Sequence, residues 1–221
     1  MLITAILRTV FGDLKYIWNL MKQSSRKQRH ADMKAAILDA ARAALLEHGP
    51  IQFSLRDVAR RSGYSPAGLY EYFSGKEDLV HAVADESLAQ LQAYLSRAAG
   101  DLAPAQRLVA LGLAYIRFAR ENPQHFMLIF TRLPSRRTTL QVPPMGSSPY
   151  HLVVQAAQDG VDAAIFLTRP EFGVEQIAYS LWALAHGMAS LQQTHLQQFQ
   201  ADFVSHDRMV LEQFVAGLGA G

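Results

Sequence analysis

The stretch Ser54–Leu79, SLRDVARRSGYSPAGLYEYFSGKEDL, decides the fold. In its first half, Leu55, Val58 and Ala59 recur at the i, i+3, i+4 spacing that places side chains on one face of a helix. Gly63 follows this block, and glycine adopts the left-handed conformation that commonly ends a helix. The stretch therefore predicts a short amphipathic helix that ends in a tight turn.

Two helix-start signals frame this turn. Ser54 is an N-cap residue, and Asp57 three positions later completes the pattern of a capping box. Directly after the turn, Ser65 is a second N-cap residue and Pro66 occupies the first helical position, where its missing N–H costs nothing. Two short helices joined by a turn that contains glycine are the pattern of a helix-turn-helix.

The second helix has the composition expected of a helix that enters the major groove of DNA. Its first residues are small, so backbone and base edges can approach closely, and its first-turn N–H groups suit phosphate. Tyrosine hydroxyls, a lysine and the arginines at positions 56, 60 and 61 of the preceding helix suit phosphate oxygens. The predicted DNA-binding residues are Arg56, Ser65, Pro66, Ala67, Gly68, Tyr70, Tyr72 and Lys76. The alternative is a pair of half-buried tyrosines beside a solvated arginine face; the caps, the turn and the basic flank together favour DNA binding.

With the preceding helix ILDAARAALLEHG (37–49), the segments DVARRSGYS and LYEYFSGKEDL resemble the DNA-binding domain of the TetR/AcrR family of bacterial transcriptional regulators. The resemblance implies an all-α homodimer, a palindromic double-stranded DNA operator, and a divergent C-terminal domain that holds a small ligand. It also implies contacts with DNA at the positions of Ser65, Ala67, Gly68, Tyr70, Tyr72 and Lys76. Gly68 departs from the family pattern, in which a small hydroxylated residue is common, and it offers no side chain for base readout.

Composition limits the class of protein. Half of the 221 residues are hydrophobic, which excludes a disordered chain. The absence of cysteine excludes disulfides and thiolate metal sites and favours a reducing, cytoplasmic location. The net charge is only +2, but residues 22–80 contain ten Lys/Arg against seven Asp/Glu, so the positive excess lies in the proposed DNA-binding third. No cofactor and no metal site is predicted, because the histidines lack ligand spacing.

Residues 1–30 form an extension before the proposed DNA-binding domain. Met1–Met21 has a helical apolar stripe broken by charged residues, which excludes a transmembrane helix, and it lacks the cleavage site of a signal peptide. Three interpretations stay open for it: an interfacial helix, an extra packed helix, or a segment that is not made in the cell. Lys22–His30 is basic and without periodicity, which predicts either a flexible arm that reaches DNA or a solvated tail.

The rest of the chain predicts helices throughout. The expected helices after residue 75 are Lys76–Ala99, Ala105–Arg120, Gln124–Arg132, Tyr150–Leu167, Val174–Phe199 and Ala201–Leu218, with a long loop over Leu133–Pro149. No strand pattern competes with them. The predicted fold is all-α: a three-helix helix-turn-helix domain over residues 31–80, then a helical ligand-binding and dimerisation domain over residues 81–221.

A candidate ligand site lies in the segment LWALAHGMASL, residues 181–191. Its Trp-x₃-His-Gly pattern resembles a C-terminal domain named for Trp-His-Gly that accompanies some TetR/AcrR-like proteins. Gly187 inside a helix suggests that another backbone approaches closely there. The predicted pocket residues are Phe118, Phe126, Met127, Phe130, Phe166, Trp182 and His186. The alternative is an ordinary aromatic core with a buried, hydrogen-bonded histidine.

The last two helices present long apolar faces suited to a four-helix bundle between two copies of the chain. The predicted dimer-interface residues are Ile177, Leu181, Leu184, Leu191, Phe203, Leu211 and Phe214. Together these features predict a homodimeric regulator, in the form of a repressor that a small, largely apolar molecule releases from its operator. Two rival classes stay open: a membrane-associated binding protein that uses Met1–Met21, and a helical lyase or hydrolase that uses His186 with Glu175 or Asp162.

Overall fold

The computed structural model describes residues 26–49, 52–130 and 148–219, which divide into two compact units, Met1–Val83 and Ala84–Gly221. Over these residues the regular structure is helical apart from one isolated bridge between Arg169 and Phe172. The predicted all-α class is therefore confirmed. Among the described helices, none has the length and hydropathy needed to cross a bilayer. The predictions for Met1–Met21 and for most of the loop over 133–149 lie outside the described residues.

The first unit contains helix α1 (26–49), α2 (Leu55–Ser62), α3 (Pro66–Leu69) and the beginning of α4 (Lys76–Ala99). Apolar side chains from each helix form its core, including the fully buried Ile37, Ala41, Ala44, Val58, Leu79 and Val83. Residues 26–30 are already helical, so the prediction of a flexible arm is wrong for them. Two contacts account for the early start: Gln28 Nε2 donates to Asp32 Oδ1 at 2.8 Å, and the His30 ring lies 4.7 Å from the Tyr72 ring.

The turn between α2 and α3 has the predicted capping geometry. The Gly63 backbone is left-handed at φ 76°, and its N–H donates to the Ala59 carbonyl. The Ser65 hydroxyl caps α3 by accepting the Gly68 N–H at 3.1 Å, and Pro66 takes the first helical position. These bonds satisfy backbone groups that a helix end leaves without partners, so they fix the angle at which α3 leaves α2.

The capping box predicted at the start of α2 does not form as expected. Ser54 Oγ does cap the helix, by accepting the Arg56 N–H at 3.3 Å. The Asp57 carboxylate instead accepts hydrogen bonds from Arg60 and Arg61, the latter through Nε at 2.7 Å. Guanidinium groups three and four residues away on the same helix offer a charged partner, which a backbone N–H does not.

The second unit contains the rest of α4 with α5 (Pro104–Glu121), α6 (Pro123–Phe130), α7 (Pro149–Asp162), α8 (Val174–Gln193) and α9 (Phe203–Ala216). Helix α5 is the centre of this unit, because it packs against each of the four helices that follow it. Its side chains at Leu108, Leu111 and Phe118 are fully buried. A helix this apolar on several faces is covered by its neighbours on each of those faces.

Two glycines allow the close packing around α5 and α7. A Cβ atom at Gly112 would lie 2.9 Å from Leu211 Cδ1, and one at Gly160 would lie 2.0 Å from Phe166 Cε2. Gly187, in contrast, has no described atom within 4 Å of its Cβ position. The predicted close approach is therefore not found at Gly187 within the part of the chain that the structure describes, and the close approaches lie at the other two glycines.

Helices α7 and α8 end earlier than predicted. After Asp162 the chain turns back through Ala164, which has a left-handed φ of 54°, and this turn lays Phe166 over Gly160. A side-chain hydrogen bond accompanies the end of α8, where the Thr194 hydroxyl donates to the Ser190 carbonyl at 2.7 Å. Such local bonds compete with helix continuation.

Candidate nucleic-acid interface and ligand cluster

The helix-turn-helix presents most of the predicted DNA-binding residues to solvent. Ser65, Pro66 and Ala67 are exposed at the start of α3. Tyr70 follows α3 with 60% of its surface exposed, which is unusual for a large aromatic side chain. Arg56 on α2 and Lys76 at the start of α4 are also exposed. The predicted surface therefore exists as a set of accessible groups.

The three arginines of α2 differ in their charge partners. Arg61 binds Glu47 Oε2 and Asp57 Oδ2, each at 2.7 Å, and Arg60 also pairs with Asp57. The hydrogen bond from Arg60 is the main cause that lowers the pKa of Asp57. Arg56 has no carboxylate within ion-pair distance among the described residues. Arg61 therefore holds α1 to α2, and Arg56 keeps its charge available for a phosphate.

The first turn of α3 is less suited to phosphate than predicted. Pro66 has no N–H, the Gly68 N–H donates to the Ser65 hydroxyl, and the Leu69 N–H donates to the Ser65 carbonyl at 3.3 Å. The local cap therefore uses the donors that a phosphate would need, and contacts at this end fall to side chains and the Ala67 N–H.

Tyr72 differs from Tyr70 in its contacts. The Tyr72 hydroxyl donates to the Met33 sulfur at 3.4 Å, and its ring packs on His30. Desolvation is the first cause that raises the pKa of Tyr72. Because its donor is occupied and its ring is partly buried, we infer that Tyr72 connects α1 to the segment after α3 and does not donate to DNA.

We expect Tyr70→Phe to weaken DNA binding by about fivefold, because it removes an exposed hydroxyl from the interface. Tyr72→Phe is the matched control and should leave DNA affinity within about twofold, since its hydroxyl has a partner inside the chain. Fluorescence anisotropy with one labelled duplex measures both. An equal loss in the two variants would contradict this assignment.

In the second unit, six rings from four helices form what we call the His186 cluster: Tyr115, Phe126, Phe130, Tyr150, Trp182 and His186. The His186 ring centroid lies 4.6 Å from that of Phe130 and 5.6 Å from that of Phe126. Phe130 and Trp182 are 37% and 39% exposed, so the cluster opens at these two rings. The geometry suits a flat or branched apolar molecule placed against aromatic faces.

His186 supplies the polar groups of this cluster. Its Nδ1 lies 2.9 Å from the Tyr115 hydroxyl, and its Nε2 lies 3.3 Å from the Ser190 hydroxyl. Burial lowers the pKa of His186 and raises the pKa of Tyr115. Both groups are therefore neutral at pH 7, and a neutral phenol and a neutral imidazole share the hydrogen bond between them. The sequence analysis offered two interpretations of His186, a hydrogen-bonded histidine and a ligand contact. The two are compatible in this cluster.

The predicted pocket residues divide into two groups. Phe126, Phe130, Trp182 and His186 come together in the cluster, with Tyr115 and Tyr150 as members that the sequence analysis did not select. The other three lie elsewhere: Phe118 packs on Tyr94, Phe166 packs on Gly160, and Met127 is 52% exposed on α6. The sequence places Tyr115 among the apolar residues of α5. No local pattern shows that its side chain faces α8.

The predicted dimer interface needs correction. Ile177, Leu181 and Leu211 have 0%, 1% and 0% of their surface exposed within a single chain, so a partner cannot reach them. Their apolar spacing marked the face of α8 and α9 that packs on α5. Of the other predicted residues, Leu191 is 49% exposed, whereas Leu184, Phe203 and Phe214 are half-buried. Besides Trp182, the large exposed apolar residues of this region are Tyr179, Leu191, Phe199, Val204, Met209 and Val210.

The groups proposed for enzymatic chemistry do not meet. Asp162 accepts a hydrogen bond from Gln158, and Glu175 lies exposed in the first turn of α8. The described hydrogen bonds of His186 go to Tyr115 and Ser190. Among the described residues, no group of three His, Asp or Glu side chains could hold a metal ion.

A helix-turn-helix with an exposed basic and tyrosine-bearing surface, followed by a helical domain, defines a helix-turn-helix transcriptional regulator. Residues 37–83 match the family model of bacterial regulatory proteins of the tetR family, and residues 108–216 match the Tetracyclin repressor-like C-terminal domain. The chain belongs to the TetR family. The closer resemblance to a Trp-His-Gly domain stays a prediction.

Comparisons with individual proteins agree with this family. The chain is 26% identical over 108 residues to the HTH-type transcriptional regulator Rv1816 of Mycobacterium tuberculosis, covering 48% of this chain and 46% of that protein. The chain thus matches about half the length of this curated relative. A protein with unknown function from Rhodococcus sp. RHA1 has a similar structure, with a TM-score of 0.72, 24% identity, and coverage of 85% and 96%. The transcriptional regulator FadR from Bacillus subtilis, in complex with stearoyl-CoA, gives a TM-score of 0.63 at 14% identity, with coverage of 83% and 98%.

Proposed function

We propose that the protein is a homodimeric repressor that binds a palindromic operator and is released by a small, largely apolar molecule held at the His186 cluster. The observation that carries this proposal is the open group of five aromatic rings around a neutral histidine in the domain that follows the helix-turn-helix. Rings that face solvent cost hydrophobic free energy unless a ligand or partner covers them.

The proposed mechanism uses helices that meet at the cluster. A ligand against Phe130 and Trp182 contacts α6 and α8, and through Tyr115 it also acts on α5, the centre of the unit. Helix α4 is continuous from Lys76 to Ala99, so a shift in the second unit has a covalent path to the DNA-binding residues. The ligand must bind the DNA-incompetent state more tightly, because only differential affinity moves an equilibrium.

The homodimer is proposed from the exposed apolar residues of α8, α9 and the segment between them. Phe199 and Met209 are 65% and 62% exposed, and several large neighbours are also accessible. A second copy that covered these residues would form a two-fold interface and place two helix-turn-helix domains on two half-sites.

The experiment is binding of the purified protein to the DNA upstream of its own gene, titrated against salt and compared with random DNA. Specific binding whose log affinity falls steeply with log salt would support the proposal. The same complex then serves to screen apolar aromatic compounds for release of DNA. Trp182→Ala should reduce release while DNA affinity stays unchanged. Equal affinity for random DNA and for a selected operator would argue against specific repression.

A pH prediction follows from His186. Because its pKa is lowered in the folded state, the unfolded chain binds this proton more readily. The stability that neutral His186 supports is therefore fully present above the usual histidine pKa of about 6.5, and it is lost as the pH falls below that value and through the lowered pKa of the folded state. We expect His186→Gln to reduce the drop in melting temperature between pH 7.5 and 5.5. His195→Gln, at an exposed position, is the control and should keep the full drop.

A further inference from the structure

Two adjoining cavities lie on the side of α5 that faces away from Tyr115. Residues two positions apart on a helix point in nearly opposite directions, and Leu113 and Arg117 face the cavities while Tyr115 faces the His186 cluster. The cavities have volumes of about 640 and 700 Å³ and share Ala110, Leu113 and Arg208. We call them together the α5–α9 trough. They have no residue in common with the His186 cluster.

One end of the trough is apolar. It lies between the first half of α5, the turn after α7 and the end of α9. The side chains that give it this character are Leu102, Ala105, Val109, Ile165, Phe166 and Val215. Ile165 is 38% and Leu102 36% exposed, so apolar surface remains open to solvent here. This end suits a hydrocarbon chain.

The other end is rich in arginine. Arg97 from α4, Arg117 and Arg120 from α5, and Arg208 from α9 all line it. The guanidinium carbons of Arg97 and Arg117 lie 5.0 and 5.8 Å from the centroid of the Tyr94 ring, which keeps two positive groups beside one aromatic side chain. Four guanidinium groups from three helices converge on one cavity.

The carboxylates at this end already have partners. Glu121 accepts a hydrogen bond from the Tyr94 hydroxyl at 3.0 Å, and the buried Asp207 accepts two from Gln192 at 2.9 and 3.0 Å. Glu212, which lines the other end of the trough, pairs with Arg208 at 3.6 Å. Within the described ranges, Arg97, Arg117 and Arg120 have no carboxylate within 4 Å. Arg120 acts electrostatically on Asp207, but four guanidinium groups against the Glu121 and Asp207 carboxylates leave an excess of positive charge at the arginine end that is available to an anion.

We propose that the α5–α9 trough binds a free amphipathic anion, a linear hydrocarbon chain with a carboxylate or phosphate head. The chain lies along the apolar end, and the head contacts Arg117 and Arg120. Charge complementarity and the apolar-to-basic order of the lining select this class: a neutral apolar molecule would leave the arginines unused, and an inorganic anion would leave the apolar end uncovered. The proposal concerns a second ligand site and is independent of DNA binding.

The test is calorimetric titration of the full chain with dodecanoate and dodecyl phosphate below their micelle concentrations. Dodecanol and dodecyltrimethylammonium carry the same chain with a neutral and a cationic head. We expect both anions to bind, dodecanol to bind about 25-fold more weakly, and the cation not to bind. Affinity should rise about fourfold for each methylene between octanoate and dodecanoate.

Variants locate the site. Arg117→Gln and Arg120→Gln should each reduce dodecanoate affinity about fivefold and leave dodecanol affinity unchanged. Ile165→Gln, at an apolar residue of the trough that is 38% exposed, should weaken both ligands. Arg169→Gln, an exposed arginine outside the trough, is the matched control and should have no effect. The substituted arginines are exposed, so the variants are expected to fold, and their melting temperatures check this.

Four results would overturn the proposal. The first is equal binding of the anionic and cationic amphiphiles. The second is loss of dodecanoate binding in Trp182→Ala but not in the arginine variants. The third is binding only to anionic lipid vesicles. The fourth is a changed monomer–dimer equilibrium in Arg117→Gln without a change in ligand affinity, which would make the trough an interface between copies. DNA affinity, measured separately, distinguishes failure of this site from failure of the proposed repressor function.

Discussion

Leu211→Ala is expected to lower the free energy of unfolding by about 2–5 kcal/mol, the range for removing a fully buried leucine side chain. Leu211 has no exposed surface, and its methyl groups lie where a Cβ atom at Gly112 would be only 2.9 Å away. Gly112 on α5 thus leaves room for the Leu211 side chain, and an alanine at position 211 would leave a cavity beside Gly112. Urea unfolding with a constant m-value measures the loss.

The exposed Leu191 is the matched control for this variant. Leu191→Ala removes the same atoms from a residue that is 49% exposed, so the stability of the isolated chain should change by less than about 0.5 kcal/mol. If the proposed dimer covers Leu191, this variant should instead weaken dimerisation, which sedimentation at several concentrations measures. The melting temperature of a dimer depends on protein concentration. If this dependence changed in Leu211→Ala and not in Leu191→Ala, the assignment of Leu211 to the core would be contradicted.

The contrast between these two leucines shows what the sequence could predict. Periodicity identifies the apolar face of a helix, and it correctly predicted that α8 and α9 carry such faces. It does not say whether a face meets another part of the same chain or a second chain. Ile177, Leu181 and Leu211 are buried within the single chain, where α8 and α9 pack on α5, so they were assigned to the wrong neighbour.

The helix-turn-helix was predictable in more detail because its signals are local. Ser65, Pro66 and Gly63 act through backbone groups within four residues, and the structure has each of these caps. The competition for side-chain partners was less predictable. Asp57 pairs with arginines on its own helix, and Tyr72 reaches Met33, which lies 39 residues earlier in the chain.

The same limit applies to the two candidate ligand sites. The His186 cluster was predicted in part, because Trp182 and His186 share one helix face at i, i+4 spacing. The arginine end of the α5–α9 trough was not predicted, because its four arginines come from three helices separated by up to 111 positions in sequence. No spacing rule connects such residues before the helices are packed.

The paired and unpaired arginines of α2 lead to the second prediction, which concerns DNA affinity. Arg56→Gln and Lys76→Gln should each reduce the magnitude of the slope of log affinity against log salt by about 1, because each removes one phosphate contact. At low salt each should weaken binding about tenfold, similarly for operator and random DNA. The double variant should lose about 100-fold, since distant contacts are nearly additive. Anisotropy titrations between 50 and 200 mM salt supply the slopes.

Arg60→Gln is the control that separates the loss of a phosphate contact from the mere loss of one positive charge. It lies on the same helix and is exposed like Arg56, but it pairs with Asp57. When Arg60 is removed, the Asp57 carboxylate keeps Arg61 as its partner. The slope should therefore change by clearly less than 1. If Arg60→Gln changed the slope as much as Arg56→Gln, the ion pair would not decide which arginine meets phosphate, and net charge alone would govern the interface. If neither Arg56→Gln nor Lys76→Gln changed it, the DNA-contacting surface would lie elsewhere on the first unit.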